Sequence, residues 1–434
     1  MSIKRIIITG AGFSAPADLP IQNRILNLMK QKPSPGFMSG SKPNSFKFMN
    51  AYITVGLYLL EKYTKTDYSE LKTSFDEIQR RANDNAVIES ILIDLTSKKI
   101  ETGKDAIEYV KSRRFNNNQK YKELNKLVDM VRNALATENI DINLEDVFTS
   151  FDKSMMDKQY MDNYSYAQMD AIRLSITRLF VYYFDHAVHD HKYDKADYIN
   201  FIKFIKSRRS SIPLTIITTN WDTLIEEYFS RSKINYNLCL NEKYYYIDDE
   251  EYKTKNGSNA IKLVKVHGSI NWFRCLNCST LSIYKKHTIS DLLFDDDNNE
   301  KCMKCQSKGD EETEILQPDI ITPTMIKSID SQLYKNLWNT ASNELRDADE
   351  IIFIGYSMPV ADYEFRYMLQ KSIPQNAKID VILHSSDNPK NSETSTDLLP
   401  EKRYKDLFPK NDLYFHYEGF KDYFKKYTRL QTKD

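Results

Sequence analysis

The chain has 434 residues, 41% hydrophobic and 12% aromatic. That is enough apolar material for a real core, and it excludes bulk disorder. Its 61 Lys and Arg are balanced by 61 Asp and Glu, which excludes binding nucleic acid or an anionic membrane through global charge. No apolar run of about 18 residues is present to span a bilayer, and the opening MSIKRIIITGAG is too short in apolar residues for a signal-peptide core. With only five cysteines, a reduced, cytoplasmic protein is expected.

In chain order, Ile3–Thr9 is β-branched, reads as a strand and ends in Gly10-Ala11-Gly12. A helix is expected beyond Pro16 and Pro20, with Ile21, Ile25, Leu26 and Met29 at helical spacing. From about Phe46 to Ser211 only helical stripes recur. Leu124, Val128, Val131 and Leu135 form one; Tyr166, Met169, Ile172, Ile176, Leu179, Phe180, Tyr183 and Phe184 form another. Asn143 is placed to cap a helix with Glu145 and Asp146 in its first turn. Strand patterns return at Leu214–Thr218, Ile261–Val266, Glu350–Ile354, Lys378–Leu383 and Leu413–His416. A helical stripe over Ile329, Leu333, Leu337, Ala341 and Leu345 lies among them. The expected fold is α/β: a Rossmann-like parallel sheet split in sequence by a large all-α insertion.

Three features point to chemistry. Gly10-Ala11-Gly12-Phe13-Ser14 follows a strand, where glycines let backbone amides approach a pyrophosphate. A tight strand-to-helix turn without a ligand would use the same glycines. No acidic residue stands in 28–36, about 20 positions on, to hold a ribose, so an ordinary nicotinamide-dependent dehydrogenase is excluded. Cys275-x2-Cys278 and Cys302-x2-Cys305 supply four thiolates for a closed, structural zinc site; Cys239 is left over. Finally, Asn220 and Asp222 follow the strand 214–218, and His267 follows 261–266. Polar groups at strand C-termini line the ligand crevice of open parallel sheets. Read singly, Asn220 and Asp222 are helix caps and His267 is a satisfied structural residue.

Taken in order, these motifs resemble the sirtuin-like superfamily. Gly10–Ser14 is similar to its first glycine motif, Thr218-Thr219-Asn220-Trp221-Asp222 to its Thr-Gln-Asn-x-Asp motif, and His267-Gly268-Ser269 to its catalytic His-Gly segment. The four cysteines follow, and Gly355-Tyr356-Ser357-Met358-Pro359 with Asp362 resembles the late cofactor loop. Two departures stand out. Leu19–Asn23 lacks the Phe-Arg that deacetylases carry after the first loop, and Pro318–Met325 replaces their Phe-Gly-Glu peptide-binding stretch, with Pro323 removing a backbone donor. The pattern is closer to bacterial sirtuin-like proteins that hydrolyse NAD in antiphage defence.

The resemblance implies an NAD+ glycohydrolase that depletes NAD in abortive infection. The alternatives are an NAD-dependent protein deacylase and a non-catalytic NAD or ADP-ribose sensor. It implies that Asn220 positions the attacking water, Asp222 holds the ribose or the carboxamide, and His267 contacts the ribose hydroxyls as general base. Gly10, Ala11, Gly12, Phe13 and Ser14 would cradle the diphosphate, and Gly355 and Ser357 would face the adenosine. The catalytic domain would comprise 1–30 and 212–434, the insertion 31–211 and the zinc module 271–310. Zn2+ would be structural and NAD+ the substrate. Gating is expected through a homo-oligomer, a translocase-type ATPase or another defence-system protein, with no membrane association and no direct nucleic-acid binding.

Overall fold

The computed structural model describes residues 3–15, 29–30, 45–97, 117–138, 140, 142–161, 164–190, 195–209, 214–240, 244–247, 260–284, 289–294, 302–306, 316–327, 329, 331–388 and 399–431. Most of the helix expected after Pro20 lies outside them.

Seven parallel strands form the main sheet. In chain order they are β1 (Arg5–Thr9), β2 (Leu214–Thr218), β3 (Tyr236–Asn237), β5 (Ile261–Lys265), β9 (Glu350–Ile354), β10 (Lys378–Ile382) and β11 (Leu413–His416). Their spatial order is β11-β10-β9-β1-β2-β5-β3. The strands beside β1 are thus β2 on one side and β9 on the other, Thr9 standing between Thr218 and Ile354. The chain winds outwards from β1 in one direction and then restarts in the other. Such a reversal opens a crevice at the C-terminal strand ends. Burial on both faces explains the near-continuous isoleucine of β1, where Ile6, Ile7 and Ile8 are inaccessible to solvent.

A second sheet was not foreseen. It contains β4 (Tyr244–Ile247), β6 (Gly268–Cys275), β7 (Leu281–Tyr284) and β8 (Leu316–Ile320) in the order β4-β7-β6-β8. β6 pairs antiparallel with both neighbours.

The helices before β2 are α1 (Ala11–Ser14), α2 (Phe46–Tyr63), α3 (Ser69–Ser97), α4 (Asn117–Thr137), α5 (Leu144–Asp157), α6 (Tyr166–Asp190) and α7 (Lys195–Arg209). α2 packs on both α4 and α6. The stripe Leu124, Val128, Val131, Leu135 is buried as its spacing predicts. In α6 the expected single face widens. Residues 179–185 are buried all round, whereas Tyr166, at the first turn, is exposed. α7 packs on α8 (Leu224–Arg231) and on the C-terminal helix Gly419–Gln431, so it also flanks the sheet. No described helix is long and apolar enough to cross a membrane.

Candidate functional site

The strand ends of β1, β2, β9 and β10 surround a cavity of about 940 Å³, within the range of small-molecule and cofactor sites. Its wall includes Ala11, Gly12, Ala15, Thr219, Asn220, Trp221, His267, Lys327, Gly355, Ser357 and Asp362, and further out Leu383, His384, Ser385 and Asp387.

The two glycine loops form its floor by touching each other. The Gly12 N–H donates to Gly355 O at 2.8 Å, and the Gly10 N–H to Ile354 O at 3.1 Å. Gly355 has φ +60°, and a Cβ there would stand 2.3 Å from Gly12 C and 2.4 Å from Phe13 N. Backbone against backbone leaves no room for a side chain on either loop. The glycines are therefore explained first by this contact.

Asn220 lies at the centre. Its Nδ2 donates to Gly10 O and to Ser14 Oγ, both at 2.9 Å. Both amide protons are thus committed, and Oδ1 is the atom that can meet a ligand in the cavity. Ser14 Oγ donates onward to Asp222 Oδ2 at 2.5 Å, and Asp222 Oδ1 accepts the Leu224 N–H at 3.0 Å. Asp222 is buried, which raises its carboxyl above the usual range, with Lys265 and the Ser14 bond opposing. Lys265 Nζ donates to Asp222 O at 2.5 Å and to Glu226 Oε1 at 2.6 Å.

Gly10, Phe13, Ser14 and Asp222 are absent from the cavity wall. Phe13 is an aromatic anchor, edge-on to Tyr198, Phe201 and Phe420, and its carbonyl accepts from Tyr198 Oη at 2.9 Å. Ser14 and Asp222 spend their polar atoms on Asn220 and on a helix end. They stand behind the wall of this cavity, in a chain that runs from Asn220 through Ser14 to Asp222. Ala15, by contrast, lines the cavity.

His267 faces the same space. A carbonyl can only accept, so the 3.2 Å contact with Thr219 O places the proton on Nδ1. Nε2 is buried without a hydrogen-bond partner and stands 3.9 Å from Asp362 Oδ1. Burial lowers the imidazole to about 4, with Asp362 opposing and Lys327 assisting. At neutral pH the ring is uncharged with a free lone pair at Nε2.

Sequence reasoning missed the charged groups around it. Lys327 Nζ is 2.8 Å from Asp362 Oδ1 and donates to Ala361 O at 2.7 Å and Thr324 O at 3.1 Å. Tyr356 Oη donates to Asp362 Oδ2 at 3.1 Å. Burial works against the Asp362 carboxylate, but His267 and Lys327 outweigh it and hold its pKa low. Glu145, from α5, lines the cavity as well. Burial raises its carboxyl; Lys327 opposes this and Asp362 adds to it. Asp362 carried a signal, standing in the late-loop motif. Lys327 carried none.

The four cysteines come together at the far end of β6. Their sulfurs all lie within 4.8 Å of one another, with Cys275–Cys305 at 3.8 Å and Cys278–Cys302 at 3.5 Å. Tetrahedral zinc with bonds of about 2.3 Å sets sulfurs about 3.8 Å apart, so the set could hold that ion. Cys275 ends the eight-residue β6, which begins just after His267, so the two are roughly 26 Å apart along a fully extended strand.

A family model decides what this domain resembles. Residues 214–403 match the SIR2-like domain. The match takes in Asn220, His267, the cysteines, Lys327 and the late loop, and excludes β1 and helices α1 to α7. No curated protein matches the chain. Among solved structures, a sirtuin studied for the structural basis of substrate affinity aligns over 99% of this chain and 94% of its own, at 11% identity and TM-score 0.39. A mutant Sir2 homologue in complex with ADP-ribose aligns over 100% and 93%, at 13% identity and TM-score 0.35. Sir2 with a p53 peptide and NAD+ aligns over 55% and 70%, at 13% and 0.31. Alignments this loose say nothing about activity. The likeness to the SIR2-like domain is carried by the family match over residues 214–403.

Proposed function

We propose that the cavity binds NAD+ and hydrolyses its nicotinamide–ribose bond, giving nicotinamide, ADP-ribose and a proton. The observation that carries this reading is that Asn220, whose Oδ1 is left uncommitted, and His267, whose buried Nε2 has no hydrogen-bond partner, line one cavity at the strand ends. Nicotinamide departs as a neutral ring, so the site needs orientation and charge stabilisation more than acid catalysis. Asn220 Oδ1 accepts a hydrogen bond from the attacking water and so turns the water's lone pair towards the anomeric carbon. As the C1′–N bond breaks and the C1′–O bond forms, His267 Nε2 takes up the proton, from the water or through a ribose hydroxyl. The floor at Ala11, Gly12 and Gly355 faces the diphosphate, and the outer wall at Ser357 and 383–387 faces the adenosine.

A protein deacylase fits less well. The segment 322–325, where a substrate peptide would add, is covered by α5: the Met325 N–H donates to Thr149 Oγ1 at 2.8 Å, and Thr149 Oγ1 lies 3.4 Å from Thr324 Oγ1. The four cysteines hold zinc as a structural ion that pins the end of β6. NAD depletion in antiphage defence, gated by self-assembly or by a partner ATPase, follows from the family resemblance alone. Nicotinamide release by wild type and by Asn220→Ala tests the assignment, with a thermal melt of each. A folded Asn220→Ala protein that keeps full turnover would refute it.

A further inference from the structure

The insertion enters the cavity through one helix. α5 begins at the cap Asn143, whose Oδ1 accepts the Glu145 N–H at 3.1 Å. Thr149 Oγ1 donates back to Glu145 O at 2.6 Å while it accepts from Met325 N–H. The backbone of Glu145 is therefore held from both sides, in register with the wall segment 322–327. The charges at this end of the cavity are few. Lys327 and Asp362 form a neutral pair at 2.8 Å, His267 is uncharged, and Thr219, Asn220 and Trp221 bring no charge. The Glu145 carboxylate is then the one unbalanced charge among the described residues of this end. Low-dielectric surroundings make such a charge discriminate between ligands of different charge.

We propose that Glu145 is a specificity-determining residue, which favours a cationic aromatic ring, the pyridinium of an oxidised dinucleotide, over the uncharged dihydropyridine of the reduced form. This rests on the reading of the cavity as a dinucleotide site. Because Glu145 belongs to α5, the preference exists only while that helix is docked on 322–327, which ties the state of the helical region to ligand choice.

Isothermal titration of the full chain tests this with three probes: a carbocyclic analogue of NAD+ that keeps the pyridinium but cannot be cleaved, NADH, and ADP-ribose. Wild type should bind the oxidised analogue more tightly than NADH. Glu145→Gln should weaken the analogue about fivefold, equivalent to about 1 kcal/mol, while NADH and ADP-ribose stay within about twofold. Glu145→Asp, which keeps the charge, should restore part of the loss. Equal weakening of all three probes would show a merely structural role, and unchanged binding of the analogue would show no role; either overturns the proposal. A wild type that binds none of the probes would sink the dinucleotide reading itself, and this proposal with it.

Discussion

Gly355→Ala offers a perturbation whose size can be worked from the structure. Residue 355 sits at φ +60°, where any L side chain costs about 1–2 kcal/mol. The added Cβ would lie 2.3 Å from Gly12 C, 2.4 Å from Phe13 N and 2.5 Å from Gly12 Cα. All three are backbone atoms, so no side chain can swing aside. The two loops must part, breaking the 2.8 Å bond from Gly12 N–H to Gly355 O, and overpacking of this kind adds about 1–3 kcal/mol. The expected loss is about 2–5 kcal/mol. Gly419 is the matched control: its φ is +76° with nothing within 4 Å of an added Cβ, so Gly419→Ala should cost only about 1–2 kcal/mol. Urea unfolding followed by tryptophan fluorescence suits the comparison, since Trp221, Trp272 and Trp338 are all buried in the part of the chain that holds the site. Two variants within about 1 kcal/mol of each other would refute the argument that the glycines are there because the loops touch.

Other outcomes follow from the buried charges and the cysteines. His267 titrates near 4 when folded and near 6.5 when unfolded, so the unfolded chain binds the extra proton between these values. Its contribution to stability is whole above about pH 6.5 and falls by about 3 kcal/mol as pH drops towards 4; denaturation midpoints across that window should show a slope that His267→Gln flattens. Lys327→Met leaves Asp362 buried beside His267 without its cation. Removing one partner of a buried pair costs about 3–5 kcal/mol, and NMR titration should find the imidazole pKa moved upwards. Zinc analysis should return about one ion per chain. Cys302→Ser should lose the ion and lower the melting temperature, while equal melting of chelated and untreated protein would argue against a structural metal.

The sheet was legible because its central parallel strands, buried on both faces, read as apolar runs rich in isoleucine; Leu214–Thr218 and Glu350–Ile354 were placed to the residue, as was the partly exposed edge strand Leu413–His416. The mixed sheet was not. β6 and β8 alternate or interrupt their apolar residues, and Pro318 breaks the pattern of β8. The cap of α5 could be read from Asn143, Glu145 and Asp146, but its docking on 322–327 is a tertiary fact with no local signal. The same holds within the site. Asn220 and His267 were named from their place after strands, yet nothing in the chain order distinguished Asn220, whose Oδ1 is left for the cavity, from Asp222, whose carboxylate is used up behind it. Lys327 reads as one more surface lysine until the fold closes over it and sets it against Asp362.

The most direct test of the central claim is an NMR time course of NAD+ with the purified full chain, run with and without an acetyl-lysine peptide. The account predicts nicotinamide and ADP-ribose released in equal amounts at a rate indifferent to the peptide. Turnover only when the peptide is present, with the acetyl group passing to the ADP-ribose, would contradict it.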